Sequence, residues 1–540
     1  MKITCSLAFF ALFVLQVFAQ APFTFDKKEV EANLRFIASD QMAGRRTASA
    51  GEKMAADFIV KQLTAYGVKP VQGQQDYFQA IPFSNFKPPK LAQLTVGNSS
   101  FKKDDNLLII KEKNIDAKTE IVFANHGWVD AEKGIDDYKN LDVKGKIVLT
   151  IVGTPAGNAP DIVFESMAQK QKFAAEHGAV ALLEVYRMVL PWHIAQSYFG
   201  KEKLEIDSGE ADGQIPYGWV KEETPGILTL VKGQDHPVAE LKIEMGESKK
   251  LTAFNVVGVI EGSDVNLKNE YVLLSAHYDH MGVGRQGGAP FTPQDSIFNG
   301  ARDNGMGVVA MLAAAKELAA NPPKRSVLVL ACTGEEMGLL GSQWYAEHPL
   351  IPLKNMAFNL NTDGAGYNTT TDFNIIGLGF TNADEAIKQA GIQAGLNMLG
   401  DPAPEQGLYQ RSDNFSFAKE GVPSVDMAPG IKAMDEEIFK YYHQAADNPD
   451  SIDYDYLLKF CKTFTLAARN IADLEGKIEW IGEAKSFEKN SVSEALVCEL
   501  GGWSFAKRPK NKYPSVVPRF QFPQAGWAFF LRKKLVAQEG

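Results

Sequence analysis

Imidazoles and carboxylates recur just past the apolar runs in the C-terminal half of this 540-residue chain. His277-Tyr278-Asp279-His280 follows the run 271–276, and Asp303 stands in a Gly-flanked turn ahead of an Ala-rich stretch. Glu335 and Glu336 follow 327–332, a run of Val, Leu, Ala and Cys that suits a strand buried on both faces of a parallel sheet. Asp363 follows 356–360, and Tyr441-Tyr442-His443-Gln444 precedes the last helical stretch. Residues kept only for structure would scatter along strands and exposed helix faces. In an open α/β sheet, ligands gather outside the carboxyl ends of the strands, which is where these groups fall. Nitrogen and oxygen donors of this kind suit zinc, a borderline ion. Their number suits two ions, and a pair about 3.5–4 Å apart needs a bridging carboxylate.

The elements that must position these groups are legible from periodicity. Helices are predicted over 28–37 and 48–66, with the loop Gly44-Arg45-Arg46-Thr47 between them. Short strands follow, among them 106–110 and 146–151, then a helix over 167–177 and an apolar run over 179–185. From Thr252 onward, strands at 255–261, 271–276, 327–332, 356–360 and 422–427 alternate with helices at 306–320, 384–396 and 453–474. The pattern predicts an α/β fold, a mainly parallel mixed sheet flanked by helices, with a β-rich unit inserted. The expected division is 1–20 as a signal peptide, 21–110 and 251–475 as the two parts of the main domain, and 111–250 as the insertion. The insertion shows no dense cluster of titratable residues, and 476–540 is a tail without a clear pattern.

Composition excludes some classes. With 45% hydrophobic and 23% charged residues, the chain reads as globular rather than disordered or membrane-embedded. A net charge of −10 argues against a nucleic-acid partner, which would need a basic face. Residues 1–20 combine a lysine, a short apolar run and small residues near the end, so an exported, periplasmic or extracellular protein without a membrane span is expected. Beyond that segment Cys332, Cys461 and Cys498 do not make a disulfide framework, and the first two fall in apolar stretches that suit a core.

Five blocks together resemble peptidase family M28, the zinc aminopeptidases and carboxypeptidases: SAHYDHMG (275–282), GARDNGMGVVAML (300–312), TGEEMGLLGS (333–342), RSDNFSFAKEGVPS (411–424) and YYHQAADNPD (441–450). The segment GRRTASAGEKMAADFIVKQL is similar to the family's opening. YKNLDVKGKIVL and KFAAEHGAVALLEV resemble a protease-associated domain, which some members carry as an insertion. The resemblance implies a di-zinc exopeptidase acting on peptide or protein substrates. His277 and Asp363 would hold one zinc, Glu336 and His443 the other, and Asp303 would bridge. Glu335 would be the general base, Asp279 would fix the tautomer of His277, and Tyr442 would stabilise the oxyanion. Asp363 departs from the family pattern, standing in Leu-Asn-Thr-Asp-Gly where a motif like Leu-Asp-Met is usual. His280 reads as an ordinary surface or core histidine. An aminopeptidase is the first reading and a carboxypeptidase or dipeptidase the second. A one-zinc glutaminyl cyclase-like acyltransferase and a receptor-like binding protein are more distant alternatives.

Overall fold

The computed structural model describes residues 25–488 except 189, 208–214, 223–225, 235–236 and 289. The expected signal peptide, Cys498 and most of the tail therefore lie outside the described residues. Strands and helices collect into two large sheets.

The larger sheet has nine strands. In spatial order they are Lys203–Ile206, Phe78–Phe86, Ser248–Ile260, Ser326–Cys332, Tyr271–His277, Met356–Asn361, Ser424–Pro429, Asp372–Ile376 and Asn397–Leu399. Its centre is a parallel block formed by Ser326–Cys332, Tyr271–His277, Met356–Asn361 and Ser424–Pro429. All seven residues of Ser326–Cys332 are buried, as its unbroken apolar run requires when helices cover both faces. The strand is parallel to Tyr271–His277 but antiparallel to Ser248–Ile260, so the sheet is mixed.

Helices Lys27–Ile37, Ala50–Ala65, Met306–Ala320 and Tyr454–Ala472 share one core with one face of the sheet, and Leu340–Glu347 and Asn414–Lys419 pack on the other. Their starts follow from side-chain caps. Asp26 accepts from Lys28 N at 2.9 Å, Ser49 from Glu52 N at 3.2 Å, and Asp453 from Asp455 N and Tyr456 N. Cys332 and Cys461 are both buried and form no disulfide, as the sequence predicts.

The second sheet has eight strands and draws on residues from Leu91 to Glu244. It therefore reaches into the stretch expected to belong to the main domain. Four of its strands, Ile115–Phe123, Ile147–Ile151, Ala181–Tyr186 and Tyr217–Lys221, run parallel. The helix expected over 167–177 begins at Pro160, because proline is well placed in a first helical turn. One strand within this stretch, Lys203–Ile206, leaves the second sheet and pairs with Phe83–Phe86 at the edge of the larger one. The described start of the tail also packs on the main unit: Trp480 is buried and donates to Gly421 O at 3.0 Å.

The insertion contains a buried ion pair that the sequence does not mark. Lys170 and Glu184 form a fully buried ion pair. Lys170 also donates to Ile151 O at 2.9 Å and Gly153 O at 2.8 Å, and Glu184 accepts from Tyr217 OH, from Trp219 Nε1 at 3.2 Å and from Thr150 Oγ1 at 3.3 Å. The pair leaves no mark in the sequence because its members sit on a helix and the neighbouring strand. Removing one partner leaves the other charged and uncompensated. Lys170→Met is expected to destabilise the second sheet by about 3–5 kcal/mol, read as a lowered denaturation midpoint in urea.

Candidate metal centre

The parallel block delivers the candidate ligands. His277 ends its strand, Asp363 lies two residues past Asn361, and Glu335 and Glu336 lie just past Cys332. Asp303 comes from the turn Ala301–Gly305 ahead of helix Met306–Ala320. That turn is tight: Gly300 has φ +59°, and a Cβ there would sit 2.3 Å from Asp303 O and 2.5 Å from the His280 ring. His443 arrives on a loop in a left-handed conformation at φ +53°.

The structure brings all five candidate metal ligands together. His277 Nε2 is 3.2 Å from Asp303 Oδ1 and 3.1 Å from Asp363 Oδ1. His443 Nε2 is 3.1 Å from Asp303 Oδ2 and 3.2 Å from Glu336 Oε2. Asp303 thus faces one imidazole with each oxygen. Two groups of donors are close enough to hold an ion, His277 with Asp303 and Asp363, and His280 with Asp303 and Glu336. Glu335 Oε2 stands 4.0 Å from His277 Nε2.

His280 departs from the ordinary role that its sequence setting suggests. It is buried, as a core histidine would be, but its Nδ1 lies 2.7 Å from Glu336 Oε1. Its position three residues past His277 on the same loop is the one signal of this in the sequence. Asp279 also differs from expectation. Its carboxylate is 3.7 Å from His277 Nδ1, and the hydrogen-bonding contact, at 3.3 Å, is to its backbone oxygen. The carboxylate instead accepts from Thr47 Oγ1 at 2.8 Å and from Glu335 N at 3.1 Å, tying the N-terminal loop to the Glu335 turn. Ser412 Oγ donates to Asp363 Oδ2 at 2.6 Å, which orients the carboxylate found in the atypical Leu-Asn-Thr-Asp-Gly run. Tyr442 OH accepts from Arg411 Nη2 at 3.1 Å.

The donors fit a cation. Glu336 Oε2 is buried and makes no hydrogen bond, although His443 Nε2 is 3.2 Å away. His280 Nε2 is likewise buried without a partner. A nitrogen and an oxygen that approach without hydrogen-bond geometry are disposed as ligands aimed at a common third atom. Electrostatics agree. Burial alone would raise Asp303, but His277 and His443 hold it well below the usual carboxylate range. Burial would raise Glu336, but His443 and His280 together push it down to about 2. Burial raises Glu335 well above the ordinary glutamate range, and the charges of Asp363 and Glu336 add to it despite His277.

A pocket of about 80 Å³ opens off this cluster beside Glu335, Asp363 and Tyr442. Its far walls are Ile376, Leu408, Ala428, Ile431 and Met434. Strand alternation explains the lining: Asp426 and Ala428 face the pocket, while Val425 and Met427, which alternate with them, enter the core.

Sequence comparison places this geometry in a family. The family model described as "Peptidase family M28" matches residues 255–468. The match spans less than half of the chain and coincides with the stretch that carries the candidate ligands. Among curated relatives it is similar to aminopeptidase YwaD of Bacillus subtilis, 26% identical over 364 residues, covering 66% of this chain and 69% of that one. It is also similar to the probable lipoprotein aminopeptidase LpqL of Mycobacterium tuberculosis, 29% identical over 343 residues, covering 59% and 60%. The vacuolar membrane protease of Saccharomyces cerevisiae is 31% identical over 242 residues, but only 21% of its length is spanned. The solved aminopeptidase from Aneurinibacillus sp. strain AM-1 superimposes with a TM-score of 0.53 at 19% identity, covering 82% of this chain and 93% of that one, which shows a shared fold.

The site rests on one residue far from it in sequence. Arg45 is fully buried and its guanidinium donates to Tyr278 O at 2.9 Å, Ile37 O at 2.9 Å, Gly300 O at 3.0 Å and to Asn299 O. It thereby clamps the loop carrying His277 and His280 to the turn carrying Asp303. Burial lowers its pKa to about 10, so it stays charged at neutral pH. In the sequence, Gly44-Arg45-Arg46-Thr47 reads as a loop that opens a segment similar to the family's start, with nothing to mark Arg45 as a clamp. Arg45→Met takes a donor from four buried carbonyls, of which Gly300 O keeps another in Gly305 N at 3.1 Å, and each group left unsatisfied costs about 1–3 kcal/mol. The variant is expected to lose at least about 3 kcal/mol in chemical denaturation and to bind metal more weakly than wild type.

Proposed function

We propose that this chain is an exported di-zinc exopeptidase, an aminopeptidase that releases N-terminal residues from peptides. The observation that carries the reading is the sharing of Asp303 between two donor groups, with Glu335 beside them at the mouth of a pocket. His277 and Asp363 would hold one zinc, Glu336 and His443 the other, with Asp303 between them. His280 would support Glu336 from behind. When bound, the two ions would polarise a peptide carbonyl and acidify a water.

The chain's own residues supply the remaining chemistry. Glu335, raised by burial among carboxylates, takes the proton of the attacking water and returns it to the leaving amine. Tyr442 OH, held by Arg411, is placed to donate to the oxygen that gains charge. The pocket, polar at Arg411 and Asp426 and apolar at Ile376, Leu408, Ala428, Ile431 and Met434, takes the side chain of the terminal residue. The names of YwaD and LpqL favour the amino terminus as the end that is read. The segment 1–20 supports export, and no helix among the described residues is long and apolar enough to cross a membrane. The second sheet is the core of the inserted, protease-associated-type unit.

Metal analysis of purified protein is expected to find two zinc ions per chain. Leucine p-nitroanilide is expected to be cleaved and its N-acetyl form left intact; cleavage of N-blocked peptides alone would replace this reading with a carboxypeptidase. Glu335→Gln is expected to keep both metals and lower kcat by about 10²–10⁴-fold. Asp303→Ala, which removes the shared carboxylate, is expected to lose metal from both positions in the same assay.

A further inference from the structure

Arg45 and Arg46 are neighbours with opposite fates. The guanidinium of Arg45 is committed to four carbonyls, whereas the side chain of Arg46 makes no hydrogen bond or ion pair among the described residues. Arg46 is nonetheless partly withdrawn from water. Its side chain lies over Gly282, where an added Cβ would stand 3.0 Å from Arg46 Cβ and 3.3 Å from Cδ. Gly282 is two residues past His280 and opens the hairpin Gly282–Val283 with Ile297–Phe298.

A second cation comes to the same loop from the inserted unit. Lys201 Nζ lies 3.9 Å from the position a Cβ on Gly288 would take. Lys201 stands just ahead of Lys203–Ile206, the strand that the inserted stretch contributes to the edge of the larger sheet. Burial lowers the pKa of both groups, and the charge of Arg46 lowers that of Lys201 further. Glu202, the carboxylate that acts most on Arg46, accepts from Asn85 Nδ2 at 2.6 Å and forms no ion pair with the guanidinium. The contact of Arg46 with Gly282, two residues past His280, puts its side chain on the His280 side of the cluster. The apolar pocket opens off the Glu335–Asp363 side, and neither cation lines it.

We propose that Arg46, with Lys201 beside it, forms a subsite for a substrate carboxylate across the metal cluster from the apolar pocket. The proposal rests on the aminopeptidase reading for its direction. With the terminal side chain in the pocket, the rest of the peptide leaves toward the hairpin. A partly dehydrated guanidinium with unused donors gains most from an anion that fills them, and carboxylate matches its fork. The carboxylate is the peptide's own C-terminus or an acidic side chain next to the cleaved bond. The inserted unit then has a role in catalysis by the M28 domain, since it supplies one of the two cations.

The test compares Leu-Gly, Leu-Gly-NH2 and Leu-Asp-NH2 as substrates of zinc-loaded full-length enzyme. Wild type is expected to favour Leu-Gly over Leu-Gly-NH2 by about tenfold or more in kcat/KM, carried by KM, the worth of one charge-assisted hydrogen bond. Arg46→Met is expected to bring the ratio to within about twofold, and Lys201→Met to lower it part-way. Leu-Asp-NH2 cleaved as well as Leu-Gly assigns the subsite to acidic side chains; Leu-Asp-NH2 treated like Leu-Gly-NH2 assigns it to the C-terminus. A wild-type ratio near one, or a ratio that survives in Arg46→Met, overturns the proposal. Calorimetric binding of the same peptides to Glu335→Gln, with and without Arg46→Met, reads the subsite apart from turnover. Absence of hydrolysis alone would then sink the peptidase reading, while an equal Kd for Leu-Gly and its amide would sink the subsite.

Discussion

Mutual repulsion among buried carboxylates is the constraint on which this structure turns. Asp279, Asp303, Glu335 and Glu336 are all buried, and Asp363 lies at their edge. Two unit charges 4 Å apart at an effective dielectric of 20 interact by about 4 kcal/mol. Such a set stays together only if positive charge sits among its members and a rigid frame prevents their separation. His277, His280 and His443 stand among the carboxylates, and the geometry leaves room for cations at their shared points.

The frame is assembled from backbone as much as from side chains. Parallel strands fix the spacing of His277, the Glu335–Glu336 turn and Asp363 through ladder hydrogen bonds. Asp303 is not on a strand, so its position depends on the glycine turn before helix Met306–Ala320 and on the Arg45 clamp. Thr47 and Asp279 join the same N-terminal loop to the backbone of Glu335. The first helices are therefore part of the site although they contribute no candidate ligand. This explains why the opening segment belongs with a catalytic unit from which the insertion separates it.

The second sheet is not a freely hanging module. It has cores of its own on both faces, yet it lends Lys203–Ile206 to the larger sheet. A strand added at an edge anchors through backbone hydrogen bonds, which specify register more than they contribute area. That anchor holds residues 201 and 202 next to the hairpin that follows His280.

The sequence by itself determined the order and type of most elements of the larger sheet. Apolar runs such as 327–332 can be buried on both faces only in a covered sheet, and the break from apolar to charged residues marks each strand's end. Because ligands in such sheets gather at those breaks, the candidates His277, Glu335, Glu336 and Asp363 are legible from the order of residues, while Asp303 and His443 stand ahead of helices and are marked by residue type and by the family resemblance. What tertiary structure decided were contacts between residues distant along the chain. Arg45 as a clamp, Thr47 as the partner of Asp279, His280 against Glu336 and the Lys170–Glu184 pair follow from no local periodicity. The reach of the second sheet back to Leu91 was hidden for the same reason, since strand pairing across an insertion leaves no mark on the pairing strands' own composition. Local pattern reports which face of an element is apolar; only the packed chain reports what that face, or a polar group within it, meets.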